Sequence, residues 1–357
     1  MFELKKGLDI LSDIGGVKTQ AEAEAVFKNA MDEVNLAKIQ KIRNEEARLK
    51  VANTIRLGRP DNVFVNTGSP EDKRFMVDLS LKKGEEAKLA LKDHYIHYDL
   101  ADEQARIVDR TFYITNDDER VSSLALRISR KEAHEYIKKY MAGIMKGSTM
   151  IVGFYCRGPV GAEPTIPAIE ATTSTYVCHS AELLYRNCFS EFDGEVERVG
   201  HFFTNVHSQG PNRPEDLPNA RVFMDRAHQT TYSAFCTYAG NTLLLKKGNH
   251  RFAVDRATYY RRGREISGHM LVTGIKGPGG RITFVAGAAP SGCGKTTTAM
   301  VGDELISDDL AQIWIAADGS IRSINPEIGI FGIIEDVNWT DDPKVMRVLR
   351  HEKAEII

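Results

Sequence analysis

Arg281-Ile-Thr-Phe-Val-Ala-Gly-Ala-Ala-Pro-Ser-Gly-Cys-Gly-Lys-Thr296 decides how this chain is read. Arg281 to Ala288 predicts a buried strand, and Lys295 to Leu305 predicts a helix. A glycine-rich turn ending in Gly-Lys-Thr joins them, the context in which a phosphate-binding loop occurs. Backbone N–H groups of such a turn, with the positive end of the helix dipole, face phosphate oxygens. Lys295 would reach the terminal phosphates and the Thr296 hydroxyl would hold a Mg²⁺. The first position is Ala289 where the usual pattern has glycine, and a plain strand–helix turn is the alternative. Cys293 lies among these amides beside Lys295, surroundings that favour a reactive thiol; a small loop residue without chemical role fits equally.

A chain of 357 residues has room for two domains. Its 42% hydrophobic and 27% charged content is that of an ordinary globular protein. A net charge of −2 argues against a general nucleic-acid binder or a membrane-surface protein. No apolar run reaches membrane-spanning length, and Met1-Phe-Glu-Leu-Lys-Lys-Gly7 lacks the core and cleavage site of a signal peptide. The expectation is a cytoplasmic enzyme. Cys156, Cys178, Cys188, Cys236 and Cys293 are odd in number and widely spaced, which excludes a disulfide framework or zinc ribbon.

Outward from the loop, strands are dense after Arg264: Met270–Ile275, Ile282–Ala288, Ala311–Ala316 and Ser320–Ile324. A boundary near Gly263 therefore divides the chain into 1–262 and 263–357. In the first part, helices are expected over 21–57, 130–145, 176–188 and from about Asn249, with strands at Arg110–Thr115 and Ser148–Tyr155. The polar stretch 191–219, with Pro211, Pro214 and Pro218, reads as loops with at most one short strand.

Several residues could complete a phosphate or metal site. Asp308 and Asp309 follow the loop helix, where a nucleotide metal is usually held; a helix-ending turn is the alternative. His269 precedes a strand, Lys246-Lys247 opens a helix or closes a loop, and Arg106 precedes a strand. Taken singly, these are ordinary packing or surface residues. His94 and His97 share one-turn spacing, but no cysteine or carboxylate completes a metal set, so they read as structural. Asn338-Trp-Thr340 matches a glycosylation triplet that has no bearing without secretion.

In register, these pieces resemble the GTP-dependent phosphoenolpyruvate carboxykinases. The similarity runs from about Asp102 to Asn338. Its blocks are Ala105-Arg-Ile-Val-Asp-Arg-Thr-Phe-Tyr-Ile-Thr115, Met145-Lys-Gly-Ser-Thr-Met150 with Gly158-Pro-Val-Gly161, and Tyr238-Ala-Gly-Asn-Thr-Leu-Leu-Leu-Lys-Lys247. Gly268-His-Met-Leu271, Pro290-Ser-Gly-Cys-Gly-Lys-Thr-Thr297 and Ile324-Asn-Pro-Glu-Ile-Gly-Ile-Phe-Gly332 follow. The resemblance implies a two-lobed α/β fold of mixed α+β type: an N-terminal mixed α/β lobe, then the start of a P-loop lobe with a mixed sheet.

It also implies roles. Lys247, His269 and Asp309 match ligands of a catalytic Mn²⁺, the lysine as a neutral amine, and Thr296 a ligand of the Mg²⁺ that travels with GTP. Arg106, Tyr238, Ala239, Gly240 and Ser291 match the substrate and CO₂ pocket. Gly292, Cys293, Gly294, Lys295, Thr296 and Thr297 match the nucleotide loop, with Cys293 and Lys295 at the chemistry. The implied reaction converts oxaloacetate and GTP into phosphoenolpyruvate, GDP and CO₂, a gluconeogenic step. The implied partners are these small molecules, with no nucleic acid or membrane, for a monomer if the chain is complete.

Gly292, Thr297, Ala239, Leu245, Arg157 and Ala162-Glu163 depart from the family pattern and point to a distant, archaeal-like branch. They leave ATP and pyrophosphate open as donors, although Cys293 favours GTP. The family continues past the Asn-Pro-Glu block to its base pocket and lid, so the expectation is a C-terminally incomplete chain, inactive as it stands if so. Its rivals are a P-loop kinase without decarboxylation and a non-catalytic phosphate binder.

Overall fold

The computed structural model describes residues 7–357 apart from 117, 118, 120, 291 and 292. Ser291 and Gly292, assigned above to the loop, lie outside the described residues.

The helical opening is built from local signals. Helices Gln20–Ala30, Glu33–Ile39 and Glu45–Gly58 each start behind a side-chain cap: Thr19, Asp32 and Asn44. Thr19 forms a reciprocal box, its Oγ1 accepting the Glu22 N–H at 3.2 Å while Glu22 Oε2 accepts the Thr19 N–H at 3.0 Å. Thr19→Ala is expected to lower stability by about 1 kcal/mol, measured by urea denaturation. Phe27, Ile39, Val51 and Ala52 from these helices join the main core.

That core lies against a nine-stranded mixed sheet. Its main path runs Asn62–Asn66, Thr149–Arg157, Ile166–Thr172, Phe203–Ser208, Thr230–Ala234, Arg221–Asp225, Thr111–Thr115, Leu126–Ser129. Arg186–Asn187 pairs additionally with Thr149–Arg157. Ile166-Pro-Ala-Ile-Glu-Ala-Thr172 is buried at every residue. A strand covered on both faces shows no alternation, which hides it from a periodicity reading. The polar stretch 191–219 needs correction: it holds the helix Phe192–Val199 as well as the strand Phe203–Ser208. Glu195 escapes the polar reading by folding back onto Arg198 at 2.6 Å, so a charged helix still presents Phe192 and Val196 to the core.

One helix lies close on this sheet. Leu244–Asp255 starts five residues before the expected Asn249 and so carries both Lys246 and Lys247. A Cβ on Gly248 would come within 2.2 Å of Thr231 Oγ1, so glycine is what lets the helix lie this close. Asn249 and Asn205 pair reciprocally beside it at 2.9 and 3.0 Å. Asn205 stands in register with Thr231 on one side and Glu170 on the other. Glu170 is wholly buried and neither carboxyl oxygen finds a well-formed hydrogen bond. Burial raises its pKa to about 8, and the neighbouring Asn205 amide offsets this only in part.

Past Gly263 the chain makes a second, five-stranded sheet around the long strand Glu265–Lys276. The resemblance implies a mixed sheet here, but every described pair is antiparallel. Short turns at 277–281 and 316–320 join its hairpins. Ile282–Ala288 has the expected bounds and not the expected burial: Phe284 is 58% exposed on this edge strand. The helix after the loop is Lys295–Val301, shorter than the expected Lys295–Leu305, and Glu304 and Leu305 instead open the strand Glu304–Ser307.

Buried polar contacts join the two sheets. Arg157 Nη1 donates to Gln312 Oε1 at 2.8 Å, and its Nη2 donates to His250 Nδ1 at 2.9 Å. The Gly158 N–H donates to the Pro326 carbonyl at 3.0 Å and Tyr185 Oη to Glu327 at 3.0 Å. Among the described residues no helix is long and apolar enough to cross a membrane.

Candidate functional site

Two groups of side chains carry the candidate site, linked through the consecutive Lys246 and Lys247 of one helix. The first is gathered on Asp309. Antiparallel register sets His269 opposite Leu310, which brings its imidazole to the neighbouring Asp309: Nδ1 to Oδ1 is 3.3 Å. Lys295, first residue of the loop helix and buried, reaches the same oxygen at 3.3 Å. Lys246 Nζ lies 2.9 Å from the other oxygen and donates to both oxygens of Glu327 at 2.8 and 2.9 Å.

The electrostatics follow from these contacts. Burial opposes ionisation of Asp309, but the His269 hydrogen bond and the Lys246 charge outweigh it and hold the carboxyl far below its usual range. Burial likewise works against the Lys246 ammonium, and Glu327 and Asp309 reverse that, so its net shift is upward. Beside them, burial and then the Glu327 charge raise Asp308 to about 6, and its Oδ2 has no hydrogen-bond partner. The His250 ring packs on His269 at 4.7 Å. Burial, then the Arg157 charge, keep His250 neutral.

The second group surrounds Gly240. A Cβ there would lie 2.5 Å from Tyr238 Cε1 and 3.0 Å from Arg106 Cγ, so both side chains flank this backbone. Arg106 is exposed, Tyr238 half-buried and Ala239 buried. Lys247 belongs with this group: its Nζ donates to Asn241 Oδ1 at 2.9 Å. Burial, then the Arg251 and Arg106 charges, lower its pKa to about 7.

The ligand set expected from the sequence is therefore only partly assembled. His269 and Asp309 are together, and Lys246 rather than Lys247 contacts the acid. Successive residues of a helix point about 100° apart, so adjacent lysines face different neighbours. In the loop, Gly294 takes φ 80°, a left-handed conformation that favours glycine, just before the helix. Cys293 is exposed, Thr296 half-buried, and Thr297 Oγ1 donates to Asp342 at 3.4 Å. Glu327, Asn241 and Glu103 were not singled out from the sequence, and Lys246 was noted only as half of a basic pair. Glu327 lies in the quoted Asn-Pro-Glu block, which was the available signal for it.

Comparison with known proteins decides the family. Residues 50–258 match the phosphoenolpyruvate carboxykinase N-terminal domain, and residues 265–357 match its C-terminal P-loop domain. The chain belongs to the phosphoenolpyruvate carboxykinase family. It is 39% identical over 328 residues to the GTP-type phosphoenolpyruvate carboxykinase of Pyrococcus horikoshii, covering 90% of this chain and 51% of that protein. The enzyme of the same name from Saccharolobus solfataricus is 35% identical over 338 residues, 93% of this chain and 53% of the relative. That of Corynebacterium jeikeium is 25% identical over 324 residues, 85% and 53%. The chain thus spans about half the length of the curated relatives it matches.

Proposed function

We propose that this chain carries the substrate side and phosphate loop of a GTP-dependent phosphoenolpyruvate carboxykinase, converting oxaloacetate and GTP to phosphoenolpyruvate, GDP and CO₂. Convergence of His269, Lys246 and Lys295 on Asp309 carries this reading, and the grouping of Arg106 and Tyr238 about Gly240 supports it. The division at 262/263, a cytoplasmic location and a gluconeogenic role belong to the same proposal.

The donors present fit a divalent cation. Among the described residues no three His, Cys, Asp or Glu side chains converge as a metal set, so a lysine amine must complete one. His269 and Asp309 would hold Mn²⁺; Lys247, which here contacts Asn241, suits the third place chemically, since its lowered pKa favours the neutral amine. Lys246 would be the counter-charge on Asp309 and Thr296 would reach the nucleotide's Mg²⁺. The unpartnered Asp308 Oδ2 is a further oxygen in want of a cation or donor. When bound, such a dication supplies Lewis-acid stabilisation of negative charge on a substrate oxygen.

The protein's own groups do the positioning. Arg106 forks onto the substrate carboxylate, while Tyr238, Ala239 and the Gly240 backbone flank the carboxyl group that leaves. As that carbon–carbon bond breaks, its electron pair moves to the ketone as an enolate, whose oxygen takes the γ-phosphoryl group. Lys295 and the amides of Cys293 and Gly294 neutralise charge on the transferring phosphoryl, with Thr297 following in the loop helix; a substrate contact for Ser291 and a nucleotide contact for Gly292 belong to the same proposal. In-line placement and charge neutralisation are what this transfer chiefly needs.

The test is Mn²⁺-dependent CO₂ release from oxaloacetate with GTP, ATP or pyrophosphate as donor. GTP is expected to support it best. Phosphoryl transfer without CO₂ release would mark a kinase, and binding of a phosphate analogue without turnover a non-catalytic chain.

A further inference from the structure

Asn241 is fully buried and its side-chain amide is engaged on both atoms. Nδ2 donates to the Ala105 carbonyl at 3.1 Å, and Oδ1 accepts the Ile107 N–H at 3.1 Å. One amide thus grips the chain on both sides of Arg106. Oδ1 also accepts from Lys247 Nζ at 2.9 Å, and Nδ2 donates to Glu103 Oε1 at 2.9 Å. Glu103, 3% exposed, uses its other oxygen to accept the Thr237 N–H at 2.6 Å and the Thr237 hydroxyl at 2.9 Å. Thr237 immediately precedes Tyr238, whose carbonyl accepts the Asn241 N–H at 2.8 Å.

We propose that Asn241 and Glu103 are positioning residues for substrate carboxylate binding. They fix the backbone beneath Arg106 to the turn bearing Tyr238 and Gly240, and tie Lys247 to the same point. An exposed arginine on an untethered turn loses side-chain and backbone freedom when it binds. Tethering the residues before and after Arg106 removes the backbone part of that loss in advance. Glu103 is a buried charge that three donors compensate, so it orients Asn241 without competing for Arg106. This inference rests on the carboxylate role of Arg106 proposed above.

A double-mutant cycle tests it, with oxalate titrated calorimetrically into the full chain in the presence of Mn²⁺. Arg106→Ala, which removes the direct contact, is expected to weaken binding roughly 10-fold or more, and Asn241→Ala, which acts through it, roughly 10-fold. The double variant should bind no more weakly than Arg106→Ala alone, because both act through one contact. Equal binding by the parent chain and Arg106→Ala would overturn the carboxylate reading itself. Arg106-dependent binding that Asn241→Ala leaves at parental affinity, or losses that multiply, would overturn the positioning role alone. If Asn241→Ala does not fold, the isosteric Glu103→Gln carries the same cycle: weaker binding with Arg106 present, and no further loss in Arg106→Ala.

Discussion

Asp309→Asn is expected to reduce oxaloacetate turnover on the order of 1000-fold, at the upper end of losses for a single preorganised electrostatic contact. Asparagine keeps the shape, so the change isolates a negative charge that His269, Lys246 and Lys295 share. Lys246 would retain Glu327. Among the described residues, Asp309 is the carboxylate within ion-pair range of Lys295, so that lysine would lose its counter-charge. Steady-state assay with GTP and Mn²⁺ reads the loss, and a melting curve beside it separates lost chemistry from lost fold. Lys295→Ala and His269→Ala are expected to abolish turnover by the same logic. Parental turnover in Asp309→Asn would remove this cluster from the reaction.

Glu170→Gln is expected to stabilise the protein at alkaline pH and to flatten its stability profile. Burial raises the Glu170 carboxyl to about 8 from an ordinary 4.5. As pH rises between these values the unfolded chain loses the proton first, so the folded state binds more protons and stability falls. The contribution is fully present below 4.5 and is lost as pH rises through 8. Across that window the linkage is on the order of 5 kcal/mol at most, since the pKa rises from 4.5 to about 8 and each unit is worth about 1.4 kcal/mol. Glutamine mimics the protonated acid and cannot ionise. The variant's melting temperature should exceed the parent's by on the order of 5 °C near pH 8.5, with the gap closing near pH 5. Parallel melting profiles for the two proteins would show that Glu170 does not take up a proton on folding.

What could be read from the sequence depended on whether a feature was local. The strand Ile282–Ala288 was legible to the residue because Gly and Pro punctuate both ends. Its burial was not, since an apolar run says nothing of whether a partner packs on it, and Phe284 stands exposed. Lys295 was legible from the loop motif and Asp309 from its place after the loop helix, whereas His269 gained meaning only through the family pattern. Only strand register and the fold of the loop helix bring them within 3.3 Å. The lysine pair shows the limit most clearly. The family pattern singles out Lys247, but a helix starting at Leu244 instead of Asn249 sends Lys246 to Asp309 and Lys247 to Asn241. Asn241 and Glu103 lay beyond reach because their contacts span 134 to 138 residues.

The pairing of His269 with Leu310 gives the site a parity. Strand side chains alternate, so deleting one residue between Glu265 and His269 would turn the imidazole to the opposite face, away from Asp309. Deleting two would restore the face but displace the ring by about 6.6 Å along the strand. Length changes here can be silent only if absorbed as a bulge. The bulge this strand already carries, between Val272 and Thr273, lies beyond the histidine, where it leaves the count from Glu265 undisturbed. Among related chains, this five-residue interval should vary freely in side chains and scarcely at all in length.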